Sequence, residues 1–191
     1  HRHLDLISDV DSRKVFIARS KIIKAVKNFL DNRGFMEVET PVLQPLYGGA
    51  SATPFTTHHK ALNMKLFMKI SPELYLKRLI VGGFEKVYEV GKNFRNEGID
   101  RTHNPEFTML EFYEAYTDYN YQMTQFEDLV STVCKEINGS MKVTYQGKEI
   151  DFTPPWRRLK VLDGITEYAK VDPQNVGQLD EYLKKNADKP M

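Results

Sequence analysis

The sequence predicts an α+β domain built on an antiparallel sheet. Apolar residues recur at three- and four-residue steps in two long stretches, the mark of helices with one buried face. Other stretches alternate apolar and polar residues with period two, the mark of half-buried strands. Several of these strands follow one another while the long helices lie to either side, which favours helices segregated around an antiparallel sheet.

The elements follow in order. Residues 1–12 are polar and short-patterned and read as a lead-in. From Arg13 to Asn32 the apolar residues Phe16, Ile22, Ile23, Val26, Phe29 and Leu30 mark a helix, with Gly34 as its stop. Lys14, Lys21, Lys24 and Lys27 lie on or near the other side, either as a solvated face or as a stripe facing RNA. Phe35–Thr40 reads as a strand that Pro41 ends. Gly48-Gly49-Ala50-Ser51 is a small-residue loop. Leu62, Met64, Leu66, Met68 and Ile70 share one side of a predicted strand. Pro72-Glu73 opens a helix running to Val81, with Gly82-Gly83 after it. Val87–Phe94 and Phe107–Tyr116 read as strands flanking a polar loop, Glu97–Asn104. Phe126, Leu129, Val130, Val133 and Ile137 mark a second strong helix closed by Gly139. Short strands at Met141–Tyr145 and Glu149–Phe152 turn at Gln146-Gly147-Lys148. Thr153-Pro154-Pro155 breaks the chain before two weaker helices near 159–170 and 176–186.

The chain has 191 residues, 41% hydrophobic and 12% aromatic, enough for a core without disulfides or metals as staples. Twenty-seven Lys and Arg against 26 Asp and Glu leave a net charge of +1, which argues against a generic, strongly basic nucleic-acid binder. The one cysteine, Cys134, excludes an intrachain disulfide framework and reads as a small core residue. No apolar run approaches the roughly 18 residues a membrane helix needs, and no signal peptide is visible, so a cytoplasmic location without membrane attachment is expected. His1 is not an initiator Met and the sequence stops in a polar stretch, so the chain reads as a piece of a longer one.

The chemistry concentrates in Val90–Gly98 and His103–Tyr113, two strands joined by a polar loop. Arg95 stands at a strand end, where its guanidinium can hold an anionic oxygen bidentately. Alternation puts Phe107, Met109, Glu111 and Tyr113 on one face. An aromatic plate with an Arg suits a nucleotide, and a carboxylate beside a phenol suits an ammonium group. The same row also fits a core sheet in which Glu111 and Tyr113 are a structural pair. Glu73 is either a ligand group or a carboxylate placed to suit a helix N-terminus. Gly48-Gly49 either lets backbone amides approach a ligand or forms a turn. His58 and His59 are adjacent and would face opposite ways in a strand, so they do not form a shared metal site. No P-loop, dinucleotide glycine fingerprint or zinc spacing occurs.

These stretches carry a resemblance. Gly34-Phe35-Met36-Glu37-Val38-Glu39-Thr40-Pro41 resembles motif 1 of the class II aminoacyl-tRNA synthetases. Phe94-Arg95-Asn96-Glu97-Gly98 with His103-Asn104-Pro105-Glu106-Phe107-Thr108 resembles their motif 2. Gly48-Gly49-Ala50, Ser71-Pro72-Glu73-Leu74-Tyr75 and Asn104 to Tyr113 look like the lysine-specific members of the subgroup that also holds the aspartyl and asparaginyl enzymes. The similarity runs from about His1 to about Tyr168 and includes Arg2-His3-Leu4-Asp5-Leu6 and Thr153-Pro154-Pro155-Trp156-Arg157-Arg158.

The resemblance implies a class II antiparallel sheet flanked by helices, incomplete in this chain. It implies ATP-dependent activation of lysine to lysyl-adenylate and transfer to the 3′ end of lysine tRNA, although the 191 residues alone need not be active. By similarity Arg95 would hold the lysine carboxylate and the α-phosphate. Glu97, His103, Asn104 and Phe107 would line the ATP site. Gly49 and Glu73 would take lysine's α-ammonium, and Glu111 and Tyr113 its side-chain ammonium. Gly34 and Pro41 would lie at a homodimer interface. Either Arg101 or Thr102 would meet the ATP phosphates. The family's motif 3, the acidic residues that hold Mg²⁺ and the anticodon-binding OB-fold have no counterpart in these residues. Residues 1–12 then read as a linker from an OB-fold, and 13–191 as the first part of the catalytic domain, with the Mg²⁺ ligands further on. Two other assignments fit the same residues: a relative that attaches lysine to a translation factor, and a non-catalytic module that binds lysine or dimerises.

Overall fold

Helix formation begins earlier than the apolar pattern indicates. In the computed structural model, which describes residues 1–186, helix α1 covers Arg2–Ser8 and α2 covers Val10–Asp31. Lys189-Pro190-Met191, the polar stretch at which the sequence stops, lies outside the described residues. The Asp9 carboxylate accepts from the amides of Asp11 and Ser12 at 2.9 and 3.1 Å, an N-cap that starts α2 in polar sequence. The lead-in residues 1–12 are thus largely helical. Only the second half of α2 is packed, with Ala25, Phe29 and Leu30 buried.

Gly34 takes φ +78° and lets the Phe35 amide return to the Leu30 carbonyl, closing α2 and driving the Phe35 ring into the core. The expected strand over 35–40 shrinks to β1, Met36–Glu37. Beyond it the Val38 amide still bonds Tyr88, but the Thr40 amide turns to the Glu89 side chain and leaves the ladder.

Strands β2 (Leu43–Gln44), β3 (Thr56–His59) and β4 (Met64–Met68) form one small antiparallel sheet in the order β2-β4-β3. Leu62, expected on the packed side of β4, instead lies exposed in the β3–β4 turn, where Asn63 adopts φ +45°. Helix α3 covers Glu73–Val81. Strands β5 (Lys86–Phe94) and β6 (Glu106–Glu114) pair antiparallel over their full nine residues, from Lys86↔Glu114 to Phe94↔Glu106. β1 joins the other side of β5 in parallel, giving the order β1-β5-β6. The long β5–β6 pair is antiparallel, whereas β1 is a parallel neighbour, which needs a long crossover, and residues 38–85 provide one. The two sheets meet where the Phe94 amide bonds the Lys69 carbonyl at 2.8 Å.

Helix α4 covers Tyr119–Asn138, capped by the Asp118 carboxylate on the Tyr121 amide and closed by Gly139 at φ +71°. Strands β7 (Lys142–Tyr145) and β8 (Lys148–Asp151) form the predicted hairpin. The core gathers Phe29, Leu30, Phe35, Tyr88 and Leu129, with Val90, Leu110 and Phe112 packed against it. The even-numbered residues of β5 and β6 therefore face the helices. The odd-numbered ones, including Phe107, Met109, Glu111 and Tyr113, face the other way.

These elements belong to a unit spanning His1–Pro154; a second begins at Pro155. There the expected helix near 159–170 is a single turn, α5 (Val161–Gly164), followed by a π-helical turn at Ile165–Ala169 that ends at Lys170 in the left-handed region. The Arg157 guanidinium forks onto the Glu167 carboxylate. Helix α6 covers Val176–Asn186.

Candidate active site

Phe107 stands early on β6 and Arg95 just past the end of β5, so the β5–β6 ladder carries both to one mouth of the sheet. The Arg95 amide bonds the Pro105 carbonyl at 2.9 Å, extending the ladder by one step and fixing where its side chain starts. The guanidinium carbon lies 5.2 Å from the Phe107 ring centre, within cation–π range. Arg95 Nε is buried without a hydrogen-bond partner, so an incoming acceptor would complete it.

Arg95, Glu97, His103, Asn104 and Phe107 all line one cavity of about 210 Å³, together with Gly98 and Thr102. The five residues assigned to ATP by resemblance therefore converge. The wall is a tight turn. The Asp100 carboxylate accepts from the Thr102 and His103 amides at 2.7 and 2.8 Å and sits 2.8 Å from His103 Nδ1. The Thr102 amide and the His103 ring hold the Asp100 carboxyl well below the usual carboxylate range. Asp100 is a supporting residue that the sequence reading passed over; its signal is the Asp two positions before Thr102, the spacing of an Asx turn. Thr102, not Arg101, lines the cavity. Glu97 Oε1 accepts from the Thr53 amide at 3.2 Å, which ties this mouth to the loop before β3.

The residues assigned to lysine cluster further along the same face. Ser71 donates to Glu111 Oε1 at 2.7 Å, and the Tyr113 hydroxyl donates to Oε2 at 3.1 Å. Burial and the Glu111 charge push the Tyr113 phenol above its ordinary range, so it stays a donor. Gly49 sits at φ +84° against this cluster. A Cβ there would lie 2.8 Å from Glu73 Cβ and 3.0 Å from Ser71 Oγ, so glycine is required on both counts. Lys77, one turn along α3, pairs with Glu73 at 2.6 Å, so Glu73 already carries a surface partner. Ser71 is a further residue the sequence reading left without a role. Its signal is its place directly before Pro72 and the N-terminus of α3.

Gly34 and Pro41 flank β1 in sequence, and neither lines the cavity. Near them in sequence Met36, Val42, Leu43, Leu46 and Tyr47 are exposed. Among the described residues no group of three His, Cys, Asp or Glu is placed to hold a metal ion. Among the described residues Glu97 is the one acidic residue lining the cavity, and its Oε1 accepts from the Thr53 amide. These residues do not form a Mg²⁺ site by themselves. No described helix is long and apolar enough to cross a membrane.

An arginine over an aromatic plate at a cavity, with a hydroxyl-bracketed carboxylate further along the same face, is an arrangement that can take an anion and an ammonium group together. The whole of residues 1–191 matches the family described as class II tRNA synthetases (D, K and N), and the chain belongs to that family. It is 61% identical over 171 residues to a lysine–tRNA ligase of Clostridium botulinum (strain Langeland), covering 90% of this chain and 34% of that protein. Lysine–tRNA ligases of Clostridium novyi (strain NT) and Syntrophomonas wolfei match over the same length at 60% and 59% identity, covering 90% of this chain and 34% and 35% of theirs. The chain spans about a third of the length of these curated relatives.

Proposed function

We propose that the protein to which this chain belongs activates L-lysine with ATP and transfers it to the 3′ end of lysine tRNA. One observation carries the choice of lysine: Glu111, on the site face, accepts hydroxyl hydrogen bonds from Ser71 and Tyr113 but pairs with no cation among the described residues. A half-buried carboxylate without a counter-ion suits a substrate ammonium and repels an acidic side chain. The names of the relatives support the same choice.

In this reading the substrate supplies the nucleophile. A lysine carboxylate oxygen attacks the α-phosphorus, the bond to the β-phosphate oxygen breaks, and pyrophosphate leaves with lysyl-adenylate formed. A ribose hydroxyl of tRNA then attacks the acyl carbon, and AMP leaves. Catalysis is positioning and charge neutralisation. Arg95 holds the reacting carboxylate and phosphate together, supported by its unpaired Nε at the cavity. Phe107 stacks on adenine, Glu97 accepts from the adenine amino group, and His103 and Asn104 line the rest of the ATP site. Gly49 and Glu73 take the α-ammonium, which displaces Lys77 from Glu73. Glu111 and Tyr113 hold the side-chain ammonium. ATP would bring Mg²⁺ with its protein ligands outside the described residues, and no step here runs through the ion. We assign a cytoplasmic homodimer with the interface at Gly34 and Pro41, supported by the exposed apolar residues near them in sequence. The complete domain would present the antiparallel sheet flanked by helices of which β5 and β6 are part, with residues 1–12 leading in from an OB-fold.

The test is lysine-dependent ATP–pyrophosphate exchange with the complete gene product, with arginine and aspartate as controls. Exchange with lysine alone, followed by charging of lysine tRNA, is expected. Exchange with none of the three amino acids would sink the reading.

A further inference from the structure

Glu89 on β5 and Glu111 on β6 are direct cross-strand partners on the site face. Like charges at such positions, with Cα atoms about 5 Å apart, destabilise a sheet unless one is neutralised. The structure neutralises only Glu89. Lys69, 1% exposed, forms an ion pair with Glu89 Oε1. Thr40 donates to Oε2 from its hydroxyl at 2.6 Å and from its amide at 3.3 Å, and Lys69 Nζ lies 3.2 Å from the same hydroxyl oxygen. Glu89 is thus a carboxylate already holding an alkylammonium, buttressed by a hydroxyl. Glu111, beside it, has hydroxyls from Ser71 and Tyr113 and no ammonium.

We propose that Lys69 is a positioning residue for the amino-acid substrate: it neutralises Glu89, the carboxylate opposite Glu111, so that Glu111 is held in place and free to take a substrate ammonium. This rests on the reading of Glu111 as the ammonium site. Without Lys69 an unneutralised Glu89 stands directly opposite Glu111, and the repulsion between the two carboxylates pushes Glu111 out of the position in which Ser71 and Tyr113 hold it. Without Glu89 the Lys69 ammonium is released beside Glu111 and competes with the substrate. Both single changes therefore damage lysine recognition, and removing both charges together restores it. A pair that merely held the fold together would not distinguish lysine from ATP.

The experiment compares Lys69→Met, Glu89→Gln and the double variant in the complete gene product. KM for lysine, KM for ATP and kcat are measured in pyrophosphate exchange, with circular dichroism and Tm as controls for folding. Each single variant is expected to raise the lysine KM roughly 10-fold or more, because a buried charge loses its partner, with the ATP KM unchanged within about twofold. The double variant is expected to return most of that loss. In Lys69→Ala, added propylammonium, the missing part of the side chain, is expected to lower the lysine KM in a saturable way. If one single variant does not fold, the other carries the comparison. A folded single variant with unchanged lysine KM, or with lysine and ATP KM raised alike, overturns the proposal. Wild-type protein that fails to exchange with lysine at all overturns the reading of Glu111 instead, and this proposal with it.

Discussion

Arg95 lies over the Phe107 ring at 5.2 Å, and the two come from opposite sides of one polar loop, twelve residues apart in sequence. The ladder between β5 and β6 makes them neighbours, so the loop can vary in shape without separating them.

Arg95→Ala is expected to abolish lysine-dependent pyrophosphate exchange, and Arg95→Lys to recover little, because a point ammonium cannot fork across two oxygens or stack on the ring. Phe107→Ala should raise the ATP KM by roughly 10-fold while leaving the lysine KM near its original value. Steady-state kinetics on the two variants checks both statements. Equal loss for both substrates in Phe107→Ala would argue against a base-stacking role.

Glu111→Gln should remove lysine selectivity, since an amide of the same shape carries no charge for the ammonium. Tyr113→Phe is expected to be milder, costing about 0.5–1.5 kcal/mol in lysine binding through one lost hydrogen bond. The order of the two effects, measured as lysine KM, is the test.

Gly49→Ala should be both unstable and inactive. Its φ of +84° alone costs an L-residue about 1–2 kcal/mol, and the new Cβ would press on Glu73 and Ser71. Gly34 shares the positive φ, but no atom lies within 4 Å of a Cβ there. Gly34→Ala should therefore lower Tm without touching the lysine KM. Thermal melts and lysine kinetics on the pair separate strain from site damage.

Tyr88 gives a pH prediction. Its hydroxyl donates to Asp31 at 2.8 Å and faces Glu37 at 3.4 Å. Burial and the hydrogen bond to Asp31 push the phenol above its ordinary pKa of 10. A raised folded pKa gives stability that is fully present below the unfolded value and is lost as pH rises from there toward the folded one. Stability should fall above about pH 10 as the unfolded state loses its proton first. Tyr88→Phe should lower stability at neutral pH and flatten that alkaline decline. Chemical denaturation between pH 8 and 11 reads both.

Long elements were legible because their periodicity is long. Val26, Phe29 and Leu30 place α2 on the core, and the alternation of Phe107, Met109, Glu111 and Tyr113 gives the site face of β6 correctly. β3 was not legible as a strand, since Thr56–His59 is exposed and polar throughout and forms only because β4 offers a ladder to join. The start of α2 was hidden for a related reason: a single cap on Asp9, not an apolar stripe, sets it. Within the site, the convergence of Arg95, Glu97, His103, Asn104 and Phe107 followed from motif resemblance, whereas the Lys69–Glu89 pair did not. Lys69 follows β4 directly, on the side that alternation marks as polar, and alternation has no way to signal that Glu89 of β5 meets it there. A buried charge is visible in sequence only through its partner, and Glu89 is twenty residues away.

Lys69 and Ser71 stand two residues apart on one extended connection, and each serves one of the two opposed carboxylates. That spacing acts as a ruler. Deleting or inserting one residue between them would hand the ammonium and the hydroxyl to the wrong faces, so this connection should admit no change of length. The Asn96–Asn104 loop across the site is gauged in another way: Asp100 counts two and three residues forward to the Thr102 and His103 amides, and Glu97 anchors the loop's start to Thr53. Each wall thus carries its own gauge, one measured along the chain and one closed on itself.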